Sequence, residues 1–531
     1  MNFVLKSEIC NSKFDIIIEI LLILLLIFTP IAFGSQVLWA LSLMELGILL
    51  IIILWALKGL GYQLPITRLG TNPQSEIKVA TILLSLFLVL VLFQMIPLPS
   101  GVIKAISPKT YELRTHLSVK SPGLGYQSSG TSSEKQLPIK DFQSEIDKPQ
   151  YATLHSKSEI QNPKPPFITF SFFPLGTKIE FFKWLALGGL FMFLLHWRLS
   201  DNRYRIMNHL IIAIFLVGAF ESLYGIFEFF SGHCHILNLD WSSRISSVTG
   251  TFVNRNYFAG YLLMVIPLSI GYLFSREVNQ QRRFRGWRHR LSSLDGKDLL
   301  LGFGVILMIL GLLLSASRMG IVSLLISFSF ISLLFRDPRG RQRVSRVPVL
   351  VFGLAVLWAA WIGLDAAISR FFTVSESLES RWVIWSNTFG ILKDFPVLGS
   401  GLGTFTEVFS MYRSFHIVGL HTHAENDFLQ LASEVGLLGA GLLFVLFVFL
   451  FYKATTGIHS IFRGEPQRYI GIGGLVGILG LMFHSIVERN IQVPANAFLY
   501  TVMWVIVLHI AFDSSSKRSV TNEALEAANP T

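Results

Sequence analysis

The sequence predicts an all-α, polytopic membrane protein with about twelve spanning helices, and three observations carry that prediction. Only 15% of the 531 residues are charged, against roughly 25% in a soluble domain. Apolar residues make up 52% of the chain and gather in unbroken runs of roughly 20, the length that crosses about 30 Å of hydrocarbon. The runs lack period-2 alternation, which excludes a closed barrel, the other architecture that satisfies every backbone group in lipid. Length alone would suggest several soluble domains, but the runs leave little chain for a soluble core.

In chain order the expected spans are 16–32, 37–57, 79–96, 179–196, 206–229, 257–274, 299–315, 319–335, 349–367, 435–452, 470–487 and 497–512. The first is long enough to read as an uncleaved span rather than a signal peptide. Lys and Arg set the orientation. With the N-terminus inside, the inner segments carry most of the basic residues, above all 276–297, with Arg282, Arg283, Arg285, Arg288 and Arg290, and 336–346. The outer segments, one long loop aside, hold Arg244, Arg255, Arg318, Arg370, Arg381, Lys393, Arg413 and Arg489. Lys178 and Lys183, at the outer end of the fourth span, do not change that balance. An even number of spans brings both termini to the cytoplasm. The net charge of +11 then reads as orientation and not as nucleic-acid binding, since no basic patch interleaves with aromatics on a soluble module.

The domain organisation that follows is three spans in 1–97, an extracytoplasmic loop over 98–173, and spans four to nine in 174–367. A large helical extracytoplasmic cap over 368–434 separates the ninth and tenth spans. Three more spans follow in 435–512, then a cytoplasmic tail over 513–531. The first loop is rich in Ser, Pro, Gly and Lys, and its middle, 121–148, reads as disordered. The cap has aromatics, glycine turns and helix-like stretches such as 379–392, and reads as folded and functional.

The candidate chemistry lies on the outer side. Arg318 ends the turn Ser315-Ala316-Ser317-Arg318, Arg255 stands in Asn254-Arg255-Asn256, Arg381 opens the amphipathic stretch of the cap, and Arg413 follows Met411-Tyr412. A guanidinium at the membrane edge either anchors to lipid headgroups or pairs with an anion. Several on the side where the positive-inside rule depletes them point to an anionic ligand, and a diphosphate suits their bidentate forks. The strip His421-Thr422-His423-Ala424-Glu425-Asn426-Asp427, followed by Gln430, Glu434, Gly436 and Gly439, packs imidazoles, carboxylates and amides above an apolar run. A base for a hydroxyl proton is a His or a carboxylate raised by burial, and both are present. No metal is expected. His421 and His423 do not share a helix face, and His233-Cys234-His235 has no partner motif. Cys10 and Cys234 fall on opposite sides, so they form no disulfide. Within the spans, Glu45, Glu221, Glu228 and His484 are conspicuous ionisable residues.

These pieces resemble the O-antigen ligase and O-antigen polymerase superfamily over roughly 250–512. They are Gly250-Thr251-Phe252 with Asn254 and Asn256, the turn at 315–318, Arg381 with Trp385, the glycine-rich 394–405, His423 through to Gly439, His484-Ser485 and Pro494-Ala495-Asn496-Ala497. The resemblance implies twelve spans, a large periplasmic cap and a place in the bacterial inner (cytoplasmic) membrane. It also implies an inverting, metal-independent glycan transfer from an undecaprenyl diphosphate donor, without cofactor. The acceptor would be lipid A core or a growing polysaccharide, with membrane lipids around both. The outer arginines, Arg318, Arg381, Arg255 and Arg413, would hold the diphosphate. A family motif of His-Asn, nine residues, Gly, two residues, Gly matches at Asn426, Gly436 and Gly439, and its histidine position holds Glu425 here. Glu425 would itself be the base, or His423 would be with Glu425 orienting it; Asn426, Gly436, Gly439 and His484 are supporting residues. Ligase and polymerase are not separated by these residues. The rival classes are a lipid-linked oligosaccharide transporter, against which the chain shows no internal repeat, and a non-catalytic assembly component.

Overall fold

A computed structural model describes residues 2–60, 73–119, 166–197, 203–232, 235–237, 239–240, 247–281, 295–334, 374–415 and 421–528. Apolar runs that water cannot reach close their own backbone hydrogen bonds, and they do so as helices. The helices are α1 (Asn2–Ile31), α2 (Leu38–Leu60), α3 (Pro73–Met95), α4 (Ser100–Ile106), α5 (Pro108–Val119), α6 (Pro174–His196), α7 (Arg203–Ser231), α8 (Arg255–Gln281), α9 (Gly296–Leu314) and α10 (Arg318–Leu334). After these come α11 (Val374–Asp394), α12 (Phe405–Tyr412), α13 (Asp427–Ser460), α14 (Pro466–His484) and α15 (Pro494–Ala528).

Among the described residues, 9 helices are long and apolar enough to cross a membrane: α1, α2, α3, α6, α7, α8, α9, α13 and α15. α10 is a shorter apolar helix. α14 runs for 19 residues and carries Arg468, whose guanidinium caps the carbonyl of Ile461 at 2.6 Å. The expected span at 349–367 lies outside the described residues. So do 121–148, most of 276–297, all of 336–346, Arg244, Arg370, His233 and Cys234.

The chain divides into two compact units. In the smaller, Ile96–Phe170, strand β1 (Leu98–Pro99) pairs antiparallel with β2 (Phe167–Ile168), and α4 and α5 follow β1. Arg114 of α5 donates to Thr169 Oγ1 at 3.0 Å.

The larger unit is the helix bundle, with a two-residue hairpin of β3 (His235–Ile236) and β4 (Leu239–Asp240) after α7. α8 lies at its centre, with 83% of its apolar window buried. α14 lies against α8 through glycines. A Cβ on Gly473 would stand 2.3 Å from the Pro267 carbonyl oxygen, and one on Gly477 2.8 Å from that of Met264. Small residues let two backbones approach where lipid gives no hydrophobic drive between helices. One end of the bundle carries simple ion pairs, Lys58–Asp15 and Lys453–Glu76, both 2.6 Å, and Arg276–Asp298 at 2.6 Å. The opposite end gathers the turn after α1, the approach to α8, the α9–α10 turn, the start of α13 and the α14–α15 connector. Thr251 Oγ1 donates to the Pro30 carbonyl at 2.8 Å, and Asn496 Nδ2 donates to that of Tyr257 at 3.1 Å. Glu221 completes this end from α7, accepting from the backbone and hydroxyl of Thr251 at 2.8 Å each. It is a structural latch between α7 and the segment that enters α8.

The tenth run, expected to start at 435, belongs to a helix that starts at Asp427. Asn426 caps it, accepting from the Leu429 N–H at 2.9 Å, so the helix's first turns carry the polar strip and its later turns the apolar run. Asn426→Ala is expected to lower stability by about 1 kcal/mol, and Asn426→Asp to keep it, because either side-chain oxygen caps the turn. Thermal melts of the two variants in detergent check this.

Candidate functional site

The site rests on a break in α13. Gly436 has φ 68° and ψ 178°, a conformation that is essentially glycine's alone. The break frees the carbonyls of Ser433 and Glu434, which accept from the N–H groups of Ser400 (3.0 Å) and Gly401 (2.9 Å). In return the N–H of Leu437 donates to Pro396 O at 2.8 Å. The glycine-rich segment between α11 and α12 thus inserts into the helix. Gln94, at the end of α3, holds it from the other side, donating to Leu398 O at 2.6 Å and accepting from Leu402 N at 3.1 Å. The Glu434 carboxylate accepts from the N–H of Gly403 at 3.0 Å and of Phe405 at 3.3 Å. It is consumed by this scaffold.

On that platform the strip before α13 is pinned at Ala424. Its N–H donates to Gln430 Oε1 at 3.0 Å, and its carbonyl accepts from Trp385 Nε1 at 3.1 Å. Held between Ala424 and the Asn426 cap, Glu425 takes φ 51°, a left-handed conformation uncommon for a side-chain-bearing residue. Trp385 lies one turn after Arg381 on α11, so one helix face delivers both. Arg381 forms an ion pair with Glu488, in the connector between α14 and α15. Glu488 is buried, its Oε2 has no N–H donor among the described residues, and the Glu425 carboxyl stands within hydrogen-bond range of it. Burial pushes the Glu488 acid up to about 7, with Arg381 pulling against the shift and Glu425 adding to it. Two carboxyls bond to each other only if one is protonated.

Arg489 extends the cluster. Its guanidinium donates to His423 Nε2 and lies 5.9 Å from the Tyr257 ring centroid. Burial, reinforced by the Arg489 and Lys183 charges, pulls the His423 imidazole down to about 2, so it is neutral. With Nε2 accepting from Arg489, the ring proton sits on Nδ1, and the basic lone pair is already occupied. Asp427 Oδ2 accepts from the N–H groups of Asn490 and Ile491, both at 2.7 Å, and locks the connector onto α13. Gln430 reaches Gln492 at 3.1 Å, and Lys183 donates to the Gln492 carbonyl at 3.3 Å.

The structure therefore joins Arg381, Glu425 and His423 into one cluster. His484 supports it from α14, its Nδ1 3.1 Å from Asn490 Nδ2 and its Nε2 3.4 Å from Ser317 Oγ. That contact brings the α9–α10 turn, and with it Arg318 at the N-terminus of α10, alongside the connector. Arg255 opens α8 two residues before Tyr257 and is half-buried. Arg413 follows α12, where its neighbours Tyr412 and Ser414 bond to Asp394 (2.6 Å) and Asn387 (3.0 Å) of α11. His421 packs edge-on against Phe409 and Phe415. Among the described residues no group of three or more His, Cys, Asp or Glu side chains could hold a metal ion. The residues that sequence reasoning did not single out for the site are Glu488, Asn490, Gln492 and Tyr257, and it weighed Arg489 and Lys183 only for orientation. The one signal for Glu488, Arg489, Asn490 and Gln492 was the polarity of a short connector between two apolar runs.

Beneath the cluster an apolar cavity of about 470 Å³ enters the bundle between α3, α6, α13, α14 and α15. Leu84, Trp184, Phe191, Leu431, Phe447 and Trp504 line it, and Asp427 and Gln492 stand among its few polar groups. No curated protein gave a match to the chain. Residues 303–444, from α9 through α11 and the Glu425 strip to the first half of α13, match the family model described as O-antigen ligase, which supports the resemblance to the O-antigen ligase superfamily.

Proposed function

We propose that this protein transfers a glycan from an undecaprenyl diphosphate donor to a hydroxyl acceptor at the periplasmic face of the bacterial inner membrane, as an O-antigen ligase. The same site would serve an O-antigen or exopolysaccharide polymerase, with the acceptor (lipid A core or the growing polymer) deciding between them. The observation that carries the reading is the adjacency of two environments. A cluster of guanidinium and carboxyl groups sits directly above an apolar cavity inside a membrane bundle. A substrate that fills both has an anionic head and a long apolar tail, which is the chemistry of a polyprenyl diphosphate.

In the mechanism, Arg381 and Arg318, with Arg255 and Arg413, neutralise the diphosphate and the charge that grows on it as it leaves. Glu425 takes the proton of the acceptor hydroxyl. The hydroxyl oxygen attacks the anomeric carbon opposite the phosphate, so the configuration inverts. Holding two lipid-borne substrates at one membrane level supplies proximity. Arg381→Ala and Arg318→Ala are each expected to abolish transfer while membrane insertion stays intact, read as surface glycan by gel and as protein in the membrane fraction. Normal glycan from both variants would overturn the reading. Movement of a labelled lipid-linked oligosaccharide across proteoliposomes without acceptor would replace it with a transporter. Chromosomal deletion sorts the acceptor: unattached chains of normal length mean ligase, and capped single repeats mean polymerase.

A further inference from the structure

Glu488 lies outside the matched family segment, yet it touches the residues that matter most to the proposed chemistry. Its Oε1 faces the Arg381 guanidinium, its buried Oε2 has no N–H donor among the described residues, and the Glu425 carboxyl stands beside it. The other charged and titratable groups around this point are Arg489 on the same connector, Tyr257 of α8, His423 before α13, Asp427 opening α13 and His484 ending α14. His423 and Asp427 are committed to Arg489 and to the connector backbone. Glu488 is therefore the group left to answer a change at Arg381.

We propose that Glu488 is a positioning residue that occupies the donor's place on Arg381, and that arrival of the diphosphate turns Arg381 to phosphate and leaves Glu488 holding a proton against ionised Glu425. This rests on the transferase reading above. A carboxylate is a fair stand-in for a phosphate oxygen on a guanidinium fork. Once Arg381 turns away, no cation among the described residues is paired with buried Glu488, since Arg489 is held by His423, and a buried carboxyl without a paired cation keeps its proton. That proton bonds Glu425, fixes its orientation and leaves it as the ionised partner. In the transfer step the acceptor O–H proton moves to Glu425 and the acceptor oxygen bonds the anomeric carbon. The anomeric C–O bond breaks, with its electron pair leaving on the diphosphate. Departure of undecaprenyl diphosphate returns Arg381 to Glu488, and the pair releases two protons to water, the one taken up when the donor bound and the one taken from the acceptor hydroxyl.

Donor binding should then take up protons. In calorimetry of the full-length protein in detergent, titrated with undecaprenyl diphosphate at pH 8 in buffers of different ionisation enthalpy, uptake approaching about one proton per ligand is expected. In Glu488→Gln it should vanish. The rate of transfer should fall on the alkaline side in the parent, as the pair loses its last proton. In Glu488→Gln, whose amide bonds both partners permanently, that limb should move up by about one pH unit or more, a tenfold gain one unit above the parent's midpoint. Binding with no buffer dependence in the parent, or unchanged uptake in Glu488→Gln, would overturn this inference and leave the transferase reading standing. No binding of undecaprenyl diphosphate at all would overturn both. The parent measurement decides the matter even if the variant does not fold.

Discussion

On the proposed transferase reading, Glu425→Gln is expected to transfer glycan about 100- to 10,000-fold more slowly than the parent and to reach the membrane in equal amount, because it removes the proposed base and little else. The substitution keeps volume and shape. The backbone at φ 51° is fixed by the bonds at Ala424 and by the Asn426 cap, none of which uses the Glu425 side chain. What is lost is the carboxylate that can take a proton. His423 is the alternative base, and the geometry weighs against it. Its Nε2 accepts from Arg489, and burial beside two cations holds the ring neutral down to about pH 2. A nitrogen whose lone pair already holds a guanidinium is poorly placed to take a hydroxyl proton. His423→Gln is accordingly expected to show the smaller loss of the two. Single-turnover assays with purified protein, donor and acceptor rank them, and the reverse order would transfer the role to His423.

Much of the bundle was legible in the sequence because solvent dictates it. A long apolar run in lipid has one way to satisfy its backbone, so α1, α2, α3, α6, α7, α8, α9 and α15 fall where hydropathy puts them. Legibility failed where a helix is decided by something other than hydropathy. In 427–434 the apolar residues Phe428, Leu429 and Leu431 are interrupted by Asp427, Gln430, Ser433 and Glu434; the helix start is fixed by the Asn426 cap and by Asp427's bonds to Asn490 and Ile491, 63 and 64 residues away. The candidate site divides in the same way. Arg381 and Glu425 stand out as charges on the side where few are expected. Glu488 and Arg489 were hidden by position, in a connector read only as the space between two spans. Lys183 carries a charge that the sequence assigns to the membrane rim, but it is buried against Glu180 and reaches the connector carbonyl of Gln492. The pairing of distant segments is what a run-by-run reading does not contain.

The break in α13 makes the other large prediction, on stability. Gly436→Ala should leave little folded protein. The backbone conformation alone costs about 1–3 kcal/mol for a residue with a side chain, and a Cβ there would lie 2.0 Å from the Val397 carbonyl oxygen and 2.3 Å from its carbon. These are backbone atoms of the inserted segment, so no rotamer change relieves the overlap. To admit the methyl group, residues 396–401 would have to withdraw. That would unpair the carbonyls of Ser433 and Glu434 and the N–H groups of Leu437 and Leu438 together. Two nearby glycines on the same helix grade the effect. At Gly439 an added Cβ meets side-chain atoms of Val435 and Leu90, at 2.7 and 2.9 Å, which can give way in part; at Gly441 it meets nothing within 4 Å. Fluorescence-detected melting in detergent should rank Gly436→Ala far below Gly439→Ala, with Gly441→Ala at or above the parent, since alanine is the better helix former by about 1 kcal/mol. Equal melting of the first two would mean that the inserted segment is dispensable, and the platform that carries Glu425 would then have to be sought in the α13 cap alone.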